Sequence, residues 1–211
     1  MFTQPDTSRH NNLLRSLSAT VLILGLAATP AKAQAAEWYG GASVGQSKAK
    51  DIVCDLDITC SSDDTDTGWK IYGGYQFNPN GAIEFGYVDL GKATFSGTDS
   101  FLGVTSASFE TSGLTAALVG TMPVGQNVGL MGKLGLFHWN LDVNASSSVF
   151  GSGSESASGT DLTFGLGLKF DLSKATGVRM EWERFKDVGD KNTTGQSDVD
   201  LFSVGFVFKF Q

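Results

Sequence analysis

Two carboxylates, Glu181 and Glu183, stand two residues apart beside Arg179, a spacing at which paired acids could serve as general acid and base. Val178, Met180 and Trp182 alternate with them, so the charges take one phase of an alternating segment and bulky apolar groups the other. On an extended chain all three charges share a face, and pairing with one another and with Lys169 is the role expected of them. The two cysteines, Cys54 and Cys60, lie in a polar stretch with Asp55, Asp57, Asp63, Asp64 and Asp66. In an exported chain, an even pair so closely spaced reads as a small disulfide loop. Zinc would want four ligands and no His is near. The acids lack the ordered spacing of a calcium loop, so a solvated acidic loop is expected there. No metal, cofactor or catalytic set is expected.

The charged residues must be positioned by strands. The clearest is the last, 198–210, where Phe202, Val204, Phe206, Phe208 and Phe210 alternate with Leu201, Ser203, Gly205, Val207 and Lys209. Seven earlier segments alternate in the same way, at 38–47, 68–77, 82–90, 107–121, 128–142, 161–170 and 177–186. Lys70, Glu84, Lys133, Lys169, Arg179, Glu181 and Glu183 all fall on their polar phase. Asn78-Pro79-Asn80-Gly81 marks a tight turn. Short turns at 123–127 and 171–176 alternate with long polar connections at 48–67, 91–106, 144–160 and 187–197. The 144–160 connection is a Ser/Gly tract that cannot pack a core and is expected to be mobile.

No segment has the helical period needed to cover the apolar faces, so lipid is the expected cover. Open sheet edges leave unpaired amides in hydrocarbon, and strands therefore span a bilayer only when the sheet closes. The fold expected is all-β, an eight-stranded antiparallel up-and-down transmembrane β-barrel. A soluble lipocalin-like barrel would turn the apolar faces inward around a ligand. The seven charges with Lys209 would then be a sparse outer surface, whereas they are a nearly balanced set for a sealed interior. His138, the base a Ser hydrolase would need, falls on the outward phase and reads as an interfacial residue beside Trp139 in an aromatic belt.

Composition agrees with strands rather than helices. Gly numbers 27 of 211 residues, close to twice its ordinary share of about 7%, and mean hydropathy is −0.03. Near the N-terminus Arg9 and Arg15 precede an apolar stretch that leads to Ala31-Lys32-Ala33, the layout of a secretory signal peptide. Residues 1–33 are expected to be cleaved, leaving a single barrel domain at 34–211. Loss of Arg9, Arg15, Lys32 and Asp6 leaves 15 − 3 = 12 basic and 22 − 1 = 21 acidic residues, net −9, which disfavours nucleic acid as a partner. An even strand count then puts both mature termini and the short turns in the periplasm and four long loops outside.

The chain resembles the small eight-stranded barrels of the outer-membrane protein A transmembrane-domain type. The resemblance is carried by Gly68-Trp69-Lys70, Gly74-Tyr75-Gln76-Phe77-Asn78, Glu84-Phe85-Gly86-Tyr87-Val88-Asp89-Leu90-Gly91, Lys133-Leu134-Gly135-Leu136-Phe137, Gly159-Thr160-Asp161, Gly165-Leu166-Gly167 and Arg179-Met180-Glu181-Trp182-Glu183. It implies a Gram-negative outer-membrane protein with a structural or surface-interaction role and at most weak permeability, beside which a small-solute pore and a loop-borne adhesin stay open. It also implies a lumenal ion-pair network of Lys70, Glu84, Lys133, Lys169, Arg179, Glu181 and Glu183, which the narrow interior of such a barrel requires on its own account. Its partners would be outer-membrane lipid, lipopolysaccharide and the barrel-assembly machinery, with a monomer expected. The assembly signal would read Phe206, Phe208 and Phe210, displaced by one place because Gln211 follows the last aromatic. The peptidoglycan-binding domain of longer members is not expected. Some barrels of this size remodel lipid A, but Asn140 stands where a deacylase's His-x-Ser would put its nucleophile, so no enzyme is expected.

Overall fold

Alternation of apolar with small or polar residues produces nine strands among the described residues: β1 (Glu37–Ala49), β2 (Thr59–Asp63), β3 (Thr65–Asn78), β4 (Gly81–Asp99), β5 (Gly103–Pro123), β6 (Val128–Ser147), β7 (Gly151–Asp171), β8 (Thr176–Val188) and β9 (Ser197–Phe210). The computed structural model describes residues 37–50, 59–63, 65–99, 103–149, 151–190 and 195–210. The expected signal segment and Cys54 lie outside these residues, as does the side chain of Cys60. No described helix is long and apolar enough to cross a membrane.

All strand pairs are antiparallel. Their order is β4-β3-β1-β9-β8-β7-β6-β5, and pairing of β4 with β5 closes the sheet into an eight-stranded barrel. Closure leaves no edge along the spanning part, as hydrocarbon demands. Trp38 pairs with Phe210, so the first and last barrel strands meet at the end that carries the short turns. At one of those turns Asn80 donates its backbone N–H to Asn78 Oδ1 at 2.8 Å, the side-chain bond expected of an Asn-Pro-Asn turn.

Two expected loops are strands instead. The β4–β5 ladder runs from Gly81↔Gly120 up to Asp99↔Gly103, and the β6–β7 ladder from Val128↔Phe170 to Ser147↔Gly151. The Ser/Gly tract 144–160 thus needs no core, because backbone hydrogen bonds alone carry it, and its side chains are mostly exposed. A bulge between Asp89 and Lys92, with Gly91 at φ 77°, lets β4 continue past β3, and β2 takes up the edge that β3 vacates. These extensions make one end of the barrel tall.

Side chains alternate between the two surfaces throughout. Phe202, Val204, Phe206, Phe208 and Phe210 are all exposed on the outside, joined there by Trp38, Ile71, Phe85, Leu118, Leu134 and Leu166. The core is therefore the lumen. Toward the tall end it is packed by Val88, Leu90, Phe137, Trp139, Leu141, Phe185, Val188, Val199 and Leu201. Toward the short-turn end lie Tyr39, Tyr72, Ala82, Val119, Met131 and Val207. Between these two apolar layers sit the charges.

Candidate functional site: a closed ring of charges in the lumen

Six inward-facing residues from four strands form the charged layer. Lys70 is on β3, Glu84 on β4, Lys133 on β6, and Arg179, Glu181 and Glu183 on β8, and each is at least 92% buried. Glu84 accepts from Arg179 Nη1 at 2.6 Å and lies 2.9 Å from Lys133 Nζ. Lys133 reaches Glu183 at 3.1 Å, Glu183 reaches Lys70 at 2.9 Å, and Lys70 reaches Glu181 at 2.6 Å. Glu181 returns to Arg179 Nη2 and closes the cycle. Every cation bridges two carboxylates and every carboxylate two cations, so three positive and three negative charges cancel within one layer. Unpaired, any of them would carry a desolvation cost of several kcal/mol.

The layer beneath supports the ring. Tyr39 donates to Glu84 Oε2 at 3.0 Å, and the Arg179 guanidinium lies 4.5 Å from the centroid of Tyr72. On the other side Thr163 donates to Glu183 Oε1 at 3.3 Å. Two glycines make room by close approach: a Cβ at Gly74 would strike the Tyr39 ring, and one at Gly167 would strike the stem of Glu181. Beside Tyr39 lies a cavity of about 30 Å³, bordered by Met131, Val207, Lys169 and Lys209, with room for a water or two.

Of the seven charged residues singled out from the sequence, six meet in the ring. Lys169 does not. It lies directly across from Arg179 in the β7–β8 register, and like charge turns it toward the mouth, where its Nζ is 3.4 Å from Asp171 Oδ1, an oxygen it shares with Lys209 at 3.1 Å. Phe206, Phe208 and Phe210 line the outer face of β9. His138 is also outside, its Nδ1 2.8 Å from Thr160 Oγ1. Trp139 is not in an outer aromatic belt. It is 3% exposed in the lumen and donates through Nε1 to Asp161 Oδ2 at 2.8 Å. The tall-end apolar layer was missed from the sequence except for Val88, Phe137, Phe185 and Leu201, which fall on the inward phase of their segments, although counting on by twos from Phe137 reaches Trp139 and Leu141. Among the described residues no cluster of three or more His, Cys, Asp or Glu side chains could hold a metal ion.

A barrel with an apolar exterior and a neutral, filled interior is the architecture of a small membrane barrel. The family model of the OmpA-like transmembrane domain matches residues 33–211. The chain belongs to that family. Curated relatives of this OmpA-like protein include outer membrane protein A of Escherichia fergusonii, 27% identical over 199 residues, and that of Yersinia pseudotuberculosis serotype I, 28% identical over 202 residues. Each alignment covers 92% of this chain and 55% of the relative, so the OmpA-like chain spans about half the length of the curated relatives it matches. In fold it is similar to Ail, the attachment invasion locus protein of Yersinia pestis, with TM-score 0.55 at 22% identity over 83% of this chain and 99% of that one. OprG of Pseudomonas aeruginosa superposes with TM-score 0.52 at 15% identity over 85% and 98%. The protein is thus an integral outer-membrane β-barrel, and its OmpA-like family is one of envelope barrels, not of enzymes.

Proposed function

We propose that this protein is a plugged outer-membrane barrel that works as a structural element and through its tall end, with at most weak passive permeability and no catalytic activity. The closed ring carries this reading, since water could pass only if ion pairs exchanged partners while the apolar layers above and below opened. In this reading residues 1–33 are a cleaved signal peptide, both mature termini are periplasmic, the barrel is monomeric, and the tall end stands outside the cell. Cys54 pairs with Cys60 of β2 in the external segment between β1 and β3, and Phe206, Phe208 and Phe210 serve the assembly machinery. Lipopolysaccharide is the surrounding lipid on the outer side.

Planar-bilayer recording tests the plug: rare, small openings are expected, and large steady channels of porin size would overturn it. Intact-mass analysis before and after reduction tests the disulfide, and two free thiols in freshly isolated protein would end that assignment. A surface-binding role has its own support. The outer faces of the tall hairpins enclose a hollow of about 570 Å³ lined by Thr94, Ser96, Ser106, Ser108, Asn144, Ser146 and Ser154, an uncharged hydroxyl-rich surface suited to polar ligands. Deleting the two hairpin tips should abolish cell or matrix binding, if the protein shows it, while leaving heat-modifiable gel migration intact.

A further inference from the structure

On the outer face of β8, β9 and β1 an apolar groove meets a cluster of cations. Successive cross-strand rows read Met180–Val204–Val44, then Trp182–Phe202–Gln46, then Arg184–Asp200–Lys48. Leu168 and Leu130 extend the first row onto β7 and β6. A groove of about 540 Å³ follows the first two rows, lined by Leu130, Leu168, Met180, Val204, Trp182 and Phe202.

In the third row the chemistry changes from apolar to ionic within one residue pair. Arg184 grips Asp200 through Nε at 2.6 Å and Nη2 at 2.9 Å, with its guanidinium 5.3 Å from the Trp182 centroid. Lys50 adds a third contact to Asp200 at 3.0 Å, and Lys48 stands opposite it in register. One row higher Lys186 lies 2.7 Å from Asp198. Asp200 is buried beneath its partners, whereas the Lys50 and Lys186 side chains remain 41% and 37% exposed. Exposed Asp187 sits above, its backbone N–H bound to Asp198, and Asp190 follows beyond the strand. A comparable row across the barrel has the opposite balance: Lys92–Glu110–Asp142 sets one cation against two carboxylates, where Arg184–Asp200–Lys48 sets two cations against one.

We propose that this sector binds a phosphate-bearing acyl lipid of the outer leaflet, with an acyl chain in the groove and the phosphate among Lys50, Arg184 and Lys186. Asp200 holds the cationic heads at the level where the apolar surface ends, which is where a lipid phosphate lies relative to its chains. A phosphate offers several acceptor oxygens and can be shared by all three donors. The proposal rests on the membrane reading and orientation given above.

The test uses the mature protein, residues 34–211, in neutral phosphatidylcholine nanodiscs, with lipid binding followed by native mass spectrometry. Bis-phosphorylated lipid A should be retained over its dephosphorylated form. K50Q and K186Q should each weaken retention roughly five-fold, M180W should weaken it by filling the groove, and K92Q should leave it unchanged. Millimolar inorganic phosphate should not displace the lipid. Equal retention by wild type and the K50Q/K186Q double variant, loss of the phosphate preference, or displacement by free phosphate would each overturn the site. Insertion is scored separately by heat-modifiable migration: protein that fails to insert refutes the membrane reading, and inserted protein without phosphate preference refutes only this site.

Discussion

The lumenal ring and the outer rim are built from the same chemistry and differ in what each pair can fall back on. In the ring Lys70, Lys133 and Arg179 have no water to turn to, so each carboxylate must be matched from two sides. At the rim Lys92 and Glu110 make a 2.8 Å contact with side chains 46% and 51% exposed, and either can be rehydrated at once. Burial, rather than distance, therefore decides which pairs hold the barrel together.

The sharpest way to break that comparison is to open the ring. Arg179→Ala leaves Glu84 with Lys133 alone and Glu181 with Lys70 alone, one buried carboxylate charge in excess, and should destabilise the barrel by about 3–5 kcal/mol, read as a shift in urea unfolding from lipid vesicles. The same variant should show more frequent openings in planar bilayers. Stability and conductance both equal to wild type would mean the ring holds nothing shut. The lipid face offers neither a partner nor water. Phe206→Arg, near the middle of that face, should cost about 2–4 kcal/mol in the same unfolding assay. Spectroscopic quenching by lipid-borne probes should be strong for a label at position 206 and weak at 205, which faces the lumen.

How far the sequence showed this contrast depends on the kind of information each part needs. The outer face was legible because Phe202 to Phe210 alternate with small or polar residues, and a period of two assigns faces without knowledge of neighbours. The same count placed Lys70, Glu84, Lys133 and the β8 charges inside. Which of them touch was not legible, because partners 111 or 113 residues apart, such as Lys70 with Glu181 and Glu183, are brought together by barrel stagger. Lys169 shows the consequence: right face, wrong neighbours, since its register partner is Arg179. The tall hairpins were hidden for a different reason. At 144–160 both faces are small and polar, so a strand there carries no contrast to read. Trp139 was readable by phase but was drawn to the outside by its sequence neighbour His138.

Trp139 also sharpens the comparison, because its bond to Asp161 lies between the ring and the rim in burial. Trp139→Phe keeps an aromatic ring in the tall-end layer and removes only the Nε1 donor. A loss of about 1 kcal/mol is expected, a charged acceptor losing a partner without being stranded from water. A cost as large as that of Arg179→Ala would show that the tall-end layer, not the ring, is the principal seal.

The smallest effect is expected at Lys92. Lys92→Ala removes an exposed pair with Glu110 that also has Asp142 as its next register neighbour, so the loss in stability should fall between about 0.2 and 1 kcal/mol. Salt then separates the two regions more cleanly than magnitude does. At 1 M salt the screening length falls to about 3 Å, and whatever Lys92→Ala costs at low salt should vanish. The ring is enclosed between Phe137, Phe185 and Leu201 on one side and the Tyr39–Tyr72 layer on the other, so mobile ions cannot enter it and the cost of Arg179→Ala should persist. Unfolding both variants across a salt series therefore reads burial directly. If the Arg179→Ala deficit faded with salt in parallel with that of Lys92→Ala, ions would be reaching the lumen, and the barrel would be wetter than its packed layers indicate.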